Sequence, residues 1–160
     1  MATTPPDHII RLMEDVVAYS MEHVRSGGIP FAAYVVDDKR NLLGRGVNRV
    51  FEHHDPTAHA EVEAIRDACR SKGVTNLRGS TLLASGEPCA MCYLNALFSG
   101  IGEVIYAVDR DSAAKAGFDY RSTYQVLAGF PDRWSMKVRK YATTHATEPF
   151  NLWRQKRTSR

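Results

Sequence analysis

Two short motifs hold residues able to do metal-assisted chemistry: Asp55-Pro56-Thr57-Ala58-His59-Ala60-Glu61 and Glu87-Pro88-Cys89-Ala90-Met91-Cys92. Each reads as a helix start, with Asp55 as N-cap ahead of Pro56, and with Pro88 opening the second helix. Cys89 and Cys92 stand three apart, so on a helix their sulfurs point the same way and can grip one ion. A helix N-terminus also favours thiolate over thiol. His59 offers a neutral nitrogen as a third ligand. Three protein ligands leave the fourth tetrahedral position of zinc open, the arrangement of a catalytic rather than a structural site. Positions two apart on a regular helix do not share a face, so Glu61 is not expected to ligate beside His59. In a first turn aimed end-on at the ion, its carboxylate reaches a water there and can take and return a proton.

Each half alone has an ordinary reading. His-x-Glu is a common helix-surface pair, and Cys-x-x-Cys also serves as a redox pair or as half of a structural zinc site. The chain has no second cysteine pair to close a four-cysteine site. The redox reading leaves His59 and Glu61 without a role. His53 and His54 are expected in an exposed loop, and His8, His23 and His145 on surfaces or helix faces. Cys69 falls on an apolar stripe and reads as a buried structural thiol.

The elements that must position these residues follow from periodicity. Residues 6–25 carry Ile9, Ile10, Met13, Val16, Val17 and Val24 at roughly helical spacing, ended by Gly27-Gly28. Phe31–Val36 and Leu42–Val50 read as a hairpin across the turn 37–41, its second strand interrupted by glycines. The helix begun at Asp55 runs to Gly73, a C-terminal stop. A strand at Ser80–Ala84 precedes the Pro88 helix, which ends at Gly100. A fourth strand is expected at Val104–Val108, a helix at 111–117, a fifth strand at Met136–Thr143 and a closing helix at Glu148–Lys156. This order predicts an α/β fold: a three-layer α/β/α sandwich with a five-stranded mixed sheet. No linker divides the chain, so one domain is expected over 1–160, with a core over about 6–130.

The 160 residues suit one core, and 44% hydrophobic and 24% charged residues are ordinary globular values. No apolar run approaches the ~18 residues of a membrane span. The start MATTPPDH lacks the features of a secretory signal. Three cysteines are too few, and odd in number, for a disulfide scaffold. The expected setting is the cytoplasm. The net charge of +3 is uneven: residues 1–131 carry 13 basic and 16 acidic side chains, whereas 132–160 carry 8 and 2. Basicity belongs to the tail, which argues against a nucleic-acid surface on the body.

His-x-Glu followed by Pro-Cys-x-x-Cys is the signature of zinc nucleobase deaminases. The chain resembles the cytidine deaminase superfamily and, within it, small bacterial guanine deaminases, over roughly residues 10–120. The resemblance rests on Gly27-Gly28 with Pro30-Phe31-Ala32-Ala33, on Asn48-Arg49-Val50, and on Asp55 through Val62 with Ala64-Ile65-Arg66 and Ala68-Cys69. It extends to Ser85, Glu87-Pro88-Cys89, Met91-Cys92 and Ala116-Gly117-Phe118-Asp119. It implies a cytidine deaminase-like fold with zinc on His59, Cys89 and Cys92, and Glu61 as proton shuttle. It further implies substrate contacts from Asn48 (hydrogen bonds to the base), Phe31 (packing on its ring), Ala60, Phe98, Asp119 and Tyr120. The implied reaction is deamination of guanine to xanthine, by a homodimer in purine metabolism. Cytosine, guanosine, a pterin or an amino-triazine are alternative substrates, as is adenosine in tRNA. Two departures stand out. Relatives of this type follow Gly-Phe-Asp with a second acid where this chain has Tyr120. They also close a neighbouring subunit's pocket with a terminal tyrosine, whereas this chain ends Arg157-Thr158-Ser159-Arg160, with Phe150 and Trp153 nearby. The segment 132–160 is accordingly expected to cover a pocket or a neighbouring subunit.

Overall fold

The computed structural model describes residues 7–140 and 143–158. The chain separates into two compact units, the first ending at Ala128 and the second beginning at Gly129. In the first unit, helix α1 (Asp7–Arg25) leads to strands β1 (Ala32–Val36) and β2 (Leu42–Val47). These form the expected antiparallel hairpin, pairing Ala32 with Val47 and Val35 with Gly44. The connecting turn is held by Asp37, whose Oδ1 accepts the Asn41 N–H at 2.8 Å. A one-turn helix α2 (Val50–His53), not anticipated from the sequence, precedes α3 (Ala60–Lys72). Then follow β3 (Thr81–Gly86), α4 (Ala90–Phe98), β4 (Glu103–Val108), α5 (Arg110–Lys115) and a second unanticipated helix, α6 (Ser122–Leu127). The sheet order is β2-β1-β3-β4. β1 and β3 are antiparallel and β3 and β4 parallel, so α4 supplies the crossover that a parallel pair requires.

Alternation along β1 divides the core. Ala33 and Val35 pack with Ala60, Ala64, Ile65 and Ala68 of α3. Ala32 and Val36 face the other way, packing with Val16 of α1 and with Leu83. The glycines that interrupt β2 let α3 lie almost on the strand. A Cβ on Gly46 would stand 2.5 Å from the Ala64 nitrogen and 2.6 Å from the Ala60 oxygen. One on Gly44 would stand 2.3 Å from the Ala68 nitrogen. Sheet and helix are thus in direct backbone contact beneath the first turn of α3.

Three expectations need correction. The sheet has four strands among the described residues, not five. The segment expected to form the fifth is cationic, and its apolar Met136 and Val138 are 61% and 54% exposed, so they do not have the burial that stabilises a strand within a sheet. Tyr141 and Ala142, which belong to that expected strand, lie outside the described residues. Asp55 is not an N-cap. Its Oδ1 accepts the Thr57 N–H at 2.8 Å and the Thr57 hydroxyl at 2.7 Å, closing a local turn, and α3 starts five residues later. Pro88 likewise stands just outside its helix, which starts at Ala90 with Cys89 as N-cap. The second unit contains a 3₁₀ turn (Pro131–Arg133) and α7 (Glu148–Thr158), with Phe150, Leu152 and Trp153 exposed.

Candidate active site

The helix starts put the metal-type residues in equivalent places. His59 is the N-cap of α3 and Cys89 the N-cap of α4, both with extended backbone (φ −68°, ψ 156° and φ −69°, ψ 172°). Cys92 lies one turn into α4. The two N-termini converge, so two helix dipoles present their positive ends to the sulfurs. His59 Nδ1 lies 3.6 Å from Cys89 Sγ and 3.5 Å from Cys92 Sγ, and the sulfurs are 3.6 Å apart. A tetrahedral ion with Zn–S near 2.3 Å and Zn–N near 2.0–2.1 Å holds such pairs about 3.5–3.8 Å apart. The donor triangle therefore fits zinc in size as well as in chemistry. It is the cluster among the described residues with three mutually close metal-type donors.

Electrostatics in the cluster follow from the same contacts. Cys89 is brought down to about 4, first by its side-chain hydrogen bond with Cys92 and then by that with His59. Cys92, hydrogen-bonded with Cys89 and buried, is pushed up. The sulfur of Cys89 in turn raises His59. Glu61, in the first turn of α3 and 5% exposed, has an Oε2 that accepts from Cys92 Sγ at 3.5 Å. Burial raises its carboxyl to about 7, near the value a proton shuttle needs at neutral pH.

A cavity of about 370 Å³ opens onto His59, Glu61 and Cys89, within the range of small-molecule sites. Its walls are mainly apolar: Ile29, Phe31, Val50, Phe51, Phe118 and Tyr120, with Asn48, Glu87 and Asp119 as the remaining polar groups. Phe31 meets the Phe118 ring edge-on, with centroids 5.2 Å apart. Asn48, 8% exposed, uses Oδ1 to accept the Val50 N–H at 3.1 Å. Asp119 is gripped by Arg121, Nε to Oδ1 at 2.9 Å and Nη2 to Oδ2 at 2.8 Å. That fork holds its carboxyl down at about 2. Tyr120 donates its hydroxyl to the Glu87 carbonyl at 2.5 Å, and burial pushes the phenol up. It therefore shows the cavity a ring rather than a free donor.

The structure thus brings together His59, Glu61, Cys89, Asn48, Phe31, Asp119 and Tyr120, with Cys92 behind them. Two expected contacts fall elsewhere. Ala60 is fully buried in the α3–sheet core and is not a wall of the cavity. Phe98 is 79% exposed and also outside it, because nine residues of helix carry it about 13 Å along α4 from Cys89. Ile29 and Phe51, which flank motif residues, also wall the cavity, as do Val50, Glu87 and Phe118, which stand within the motifs but to which the sequence alone assigns no role. His53 and His54 are exposed, as anticipated. His23 lies on α1, one of the helix positions expected for it, and is buried there.

Comparison with known proteins gives a consistent picture. The family model for the cytidine and deoxycytidylate deaminase zinc-binding region matches residues 7–108. Guanine deaminase of Bacillus subtilis is 35% identical over 143 residues, covering 89% of this chain and 91% of that one. Its crystal structure superposes with a TM-score of 0.82. A tRNA-specific adenosine deaminase of Haemophilus influenzae is 35% identical over 62% of this chain and 59% of its own. A structure solved with 2,6-diaminopurine is 30% identical over 68% of this chain and 60% of that one, with a TM-score of 0.63.

Proposed function

The chain belongs to the cytidine and deoxycytidylate deaminase family of zinc-dependent hydrolases, and on that premise we propose that it deaminates guanine to xanthine, releasing ammonia. The observation that carries this reading is the donor triangle beside a buried carboxylate, at the inner end of an apolar cavity with a carboxylate and an amide on its wall. Likeness to a guanine deaminase over nine-tenths of both chains supports the choice of base. The diaminopurine complex of a relative supports a purine.

In this reading His59 Nδ1 and the sulfurs of Cys89 and Cys92 hold zinc. When bound, zinc supplies Lewis acidity that brings a water's pKa toward neutrality. Glu61 Oε2 would take one proton from the attacking water and pass it to the ring nitrogen beside the amine-bearing carbon, then carry the remaining hydroxyl proton to the departing amine, so that ammonia leaves and the carboxylate is restored. Phe31 packs on the face of the planar ring, and Phe118, edge-on to Phe31, lines the cavity beside it. Asn48 Nδ2, free because Oδ1 is committed to Val50, donates to a ring carbonyl oxygen. Asp119, held ionised by Arg121, accepts from ring N–H groups. The reading includes a three-layer α/β/α body with α1 and α3 on opposite sheet faces. It also includes a cytoplasmic homodimer, which the exposed Leu97 and Phe98 of α4 support by offering apolar surface to a second copy.

An ammonia-release screen over guanine, cytosine, guanosine, pterins and amino-triazines tests the substrate. Guanine is expected to be turned over fastest; ammonia from another compound and none from guanine would transfer the chemistry to that substrate. A second reading, adenosine deamination in tRNA, draws on the cationic segment 132–160 and on the Haemophilus influenzae relative. It predicts tight, salt-dependent tRNA binding.

A further inference from the structure

His23 belongs neither to the donor cluster nor to the cavity wall, yet it is buried, with 8% exposure. It lies in the last turns of α1, and its Nε2 is 2.8 Å from the backbone oxygen of Asn48. A carbonyl oxygen only accepts, so Nε2 carries the proton and donates. Asn48 is fixed at two more atoms. Its N–H donates to the Phe31 carbonyl at 3.1 Å, and its Oδ1 accepts from Val50. With those groups engaged, the direction of the side-chain Nδ2 follows from how the Asn48 backbone is held.

Gly28 shows that the position of the His23 ring is built in. A Cβ at residue 28 would stand 2.1 Å from Nε2, 2.3 Å from Cε1 and 2.4 Å from Cδ2 of that ring. The chain leaves α1 and passes over the imidazole so closely that any side chain there would push it off the Asn48 carbonyl. The Gly27-Gly28 pair, which the sequence presents as a helix stop, thus has a second use in its latter residue.

We propose that His23 is a positioning residue for recognition of the base. By holding the Asn48 carbonyl it sets the angle at which Asn48 Nδ2 meets a carbonyl oxygen of the bound heterocycle. Gly28 is the space that permits it. This inference rests on the proposed role of Asn48 and goes beyond it, since His23 itself never meets the substrate. A residue that only filled the space between α1 and the sheet could be exchanged for an apolar side chain without altering recognition.

The test is steady-state kinetics on guanine with the zinc-loaded protein. The variants are His23→Leu, His23→Gln, Gly28→Ala, Asn48→Ala and the double variant His23→Leu/Asn48→Ala. Guanine affinity in a Glu61→Gln background, measured by calorimetry, gives the same comparison without turnover. Thermal melting checks folding throughout. His23→Leu and Gly28→Ala should raise KM about 3- to 10-fold, the effect of one hydrogen bond, with a smaller change in kcat. His23→Gln, whose Nε2 has similar reach, should recover most of that loss. In the Asn48→Ala background, His23→Leu should add nothing, because the amide it would misdirect is gone. An equal rise in KM with and without the Asn48 amide would overturn the role of His23. An unchanged KM in Asn48→Ala would instead overturn base reading by Asn48. Should His23→Leu fold poorly, Gly28→Ala and His23→Gln decide the question.

Discussion

Gly46→Ala is the substitution that asks how closely the position of the catalytic helix depends on the strand beneath it. A Cβ there would lie 2.5 Å from the Ala64 nitrogen, 2.6 Å from the Ala60 oxygen and 2.7 Å from the Glu63 Cβ. Ordinary carbon contacts need about 3.5–4.0 Å, so α3 must lift by roughly 1 Å. Two of the three atoms belong to the first turn, which holds His59 and Glu61 at its start. Overpacking of this kind costs about 1–3 kcal/mol, which lowers Tm by about 3–10 °C in a chain of this size. A 1 Å displacement of groups that must meet a reacting atom lowers kcat by up to about 10²-fold. Thermal melting, zinc content and guanine turnover on the same preparation measure all three. A variant with wild-type kcat and zinc content would refute the reasoning, because α3 would then be free to move without disturbing the site.

Glu61→Gln should lose about 10²–10⁴-fold in kcat while retaining one zinc per chain, as read by metal analysis, because the carboxylate moves protons and does not ligate. Cys89→Ser or Cys92→Ser should lose the metal itself, visible as sub-stoichiometric zinc after dialysis. Arg121→Ala should raise the Asp119 carboxyl, since Arg121 is what holds it at about 2. The sign follows: substrate binding that needs ionised Asp119 should then fail at a higher pH on the acid side than in the wild type, as seen in the pH dependence of KM. Tyr120→Phe removes a hydroxyl that is occupied by the Glu87 carbonyl. It should leave substrate preference unchanged in the ammonia-release screen, with a loss of stability of about 1 kcal/mol from the orphaned carbonyl.

The hairpin, the two helix starts and the donor set were legible in the sequence because short-range signals specify them: strand-type runs, turn residues and the three-residue cysteine spacing. The helix boundaries were less so. Asp55 has the composition of an N-cap, but its carboxylate is more favourably used within its own turn by Thr57. The segment expected to form a fifth strand has β-type residues, yet register and burial depend on a partner that local sequence does not encode. Phe98 shows the same limit for the site: resemblance placed an aromatic there, while the length of α4 carries it away from the cavity. The glycines of β2 and Gly28 were visible as interruptions. Their meaning lies in what crosses them, α3 in one case and the His23 ring in the other, and that is set by tertiary packing alone. The partner of His23 is hidden for the same reason, since a polar residue late in an amphipathic helix carries no mark of the carbonyl it will meet.

The most direct test of the central claim is the ultraviolet change from guanine to xanthine, followed together with ammonia release by protein containing one zinc per chain. The account predicts equal amounts of xanthine and ammonia, abolished by Glu61→Gln and by chelation, and restored by zinc. Zinc-loaded, folded protein that leaves guanine unchanged would contradict it.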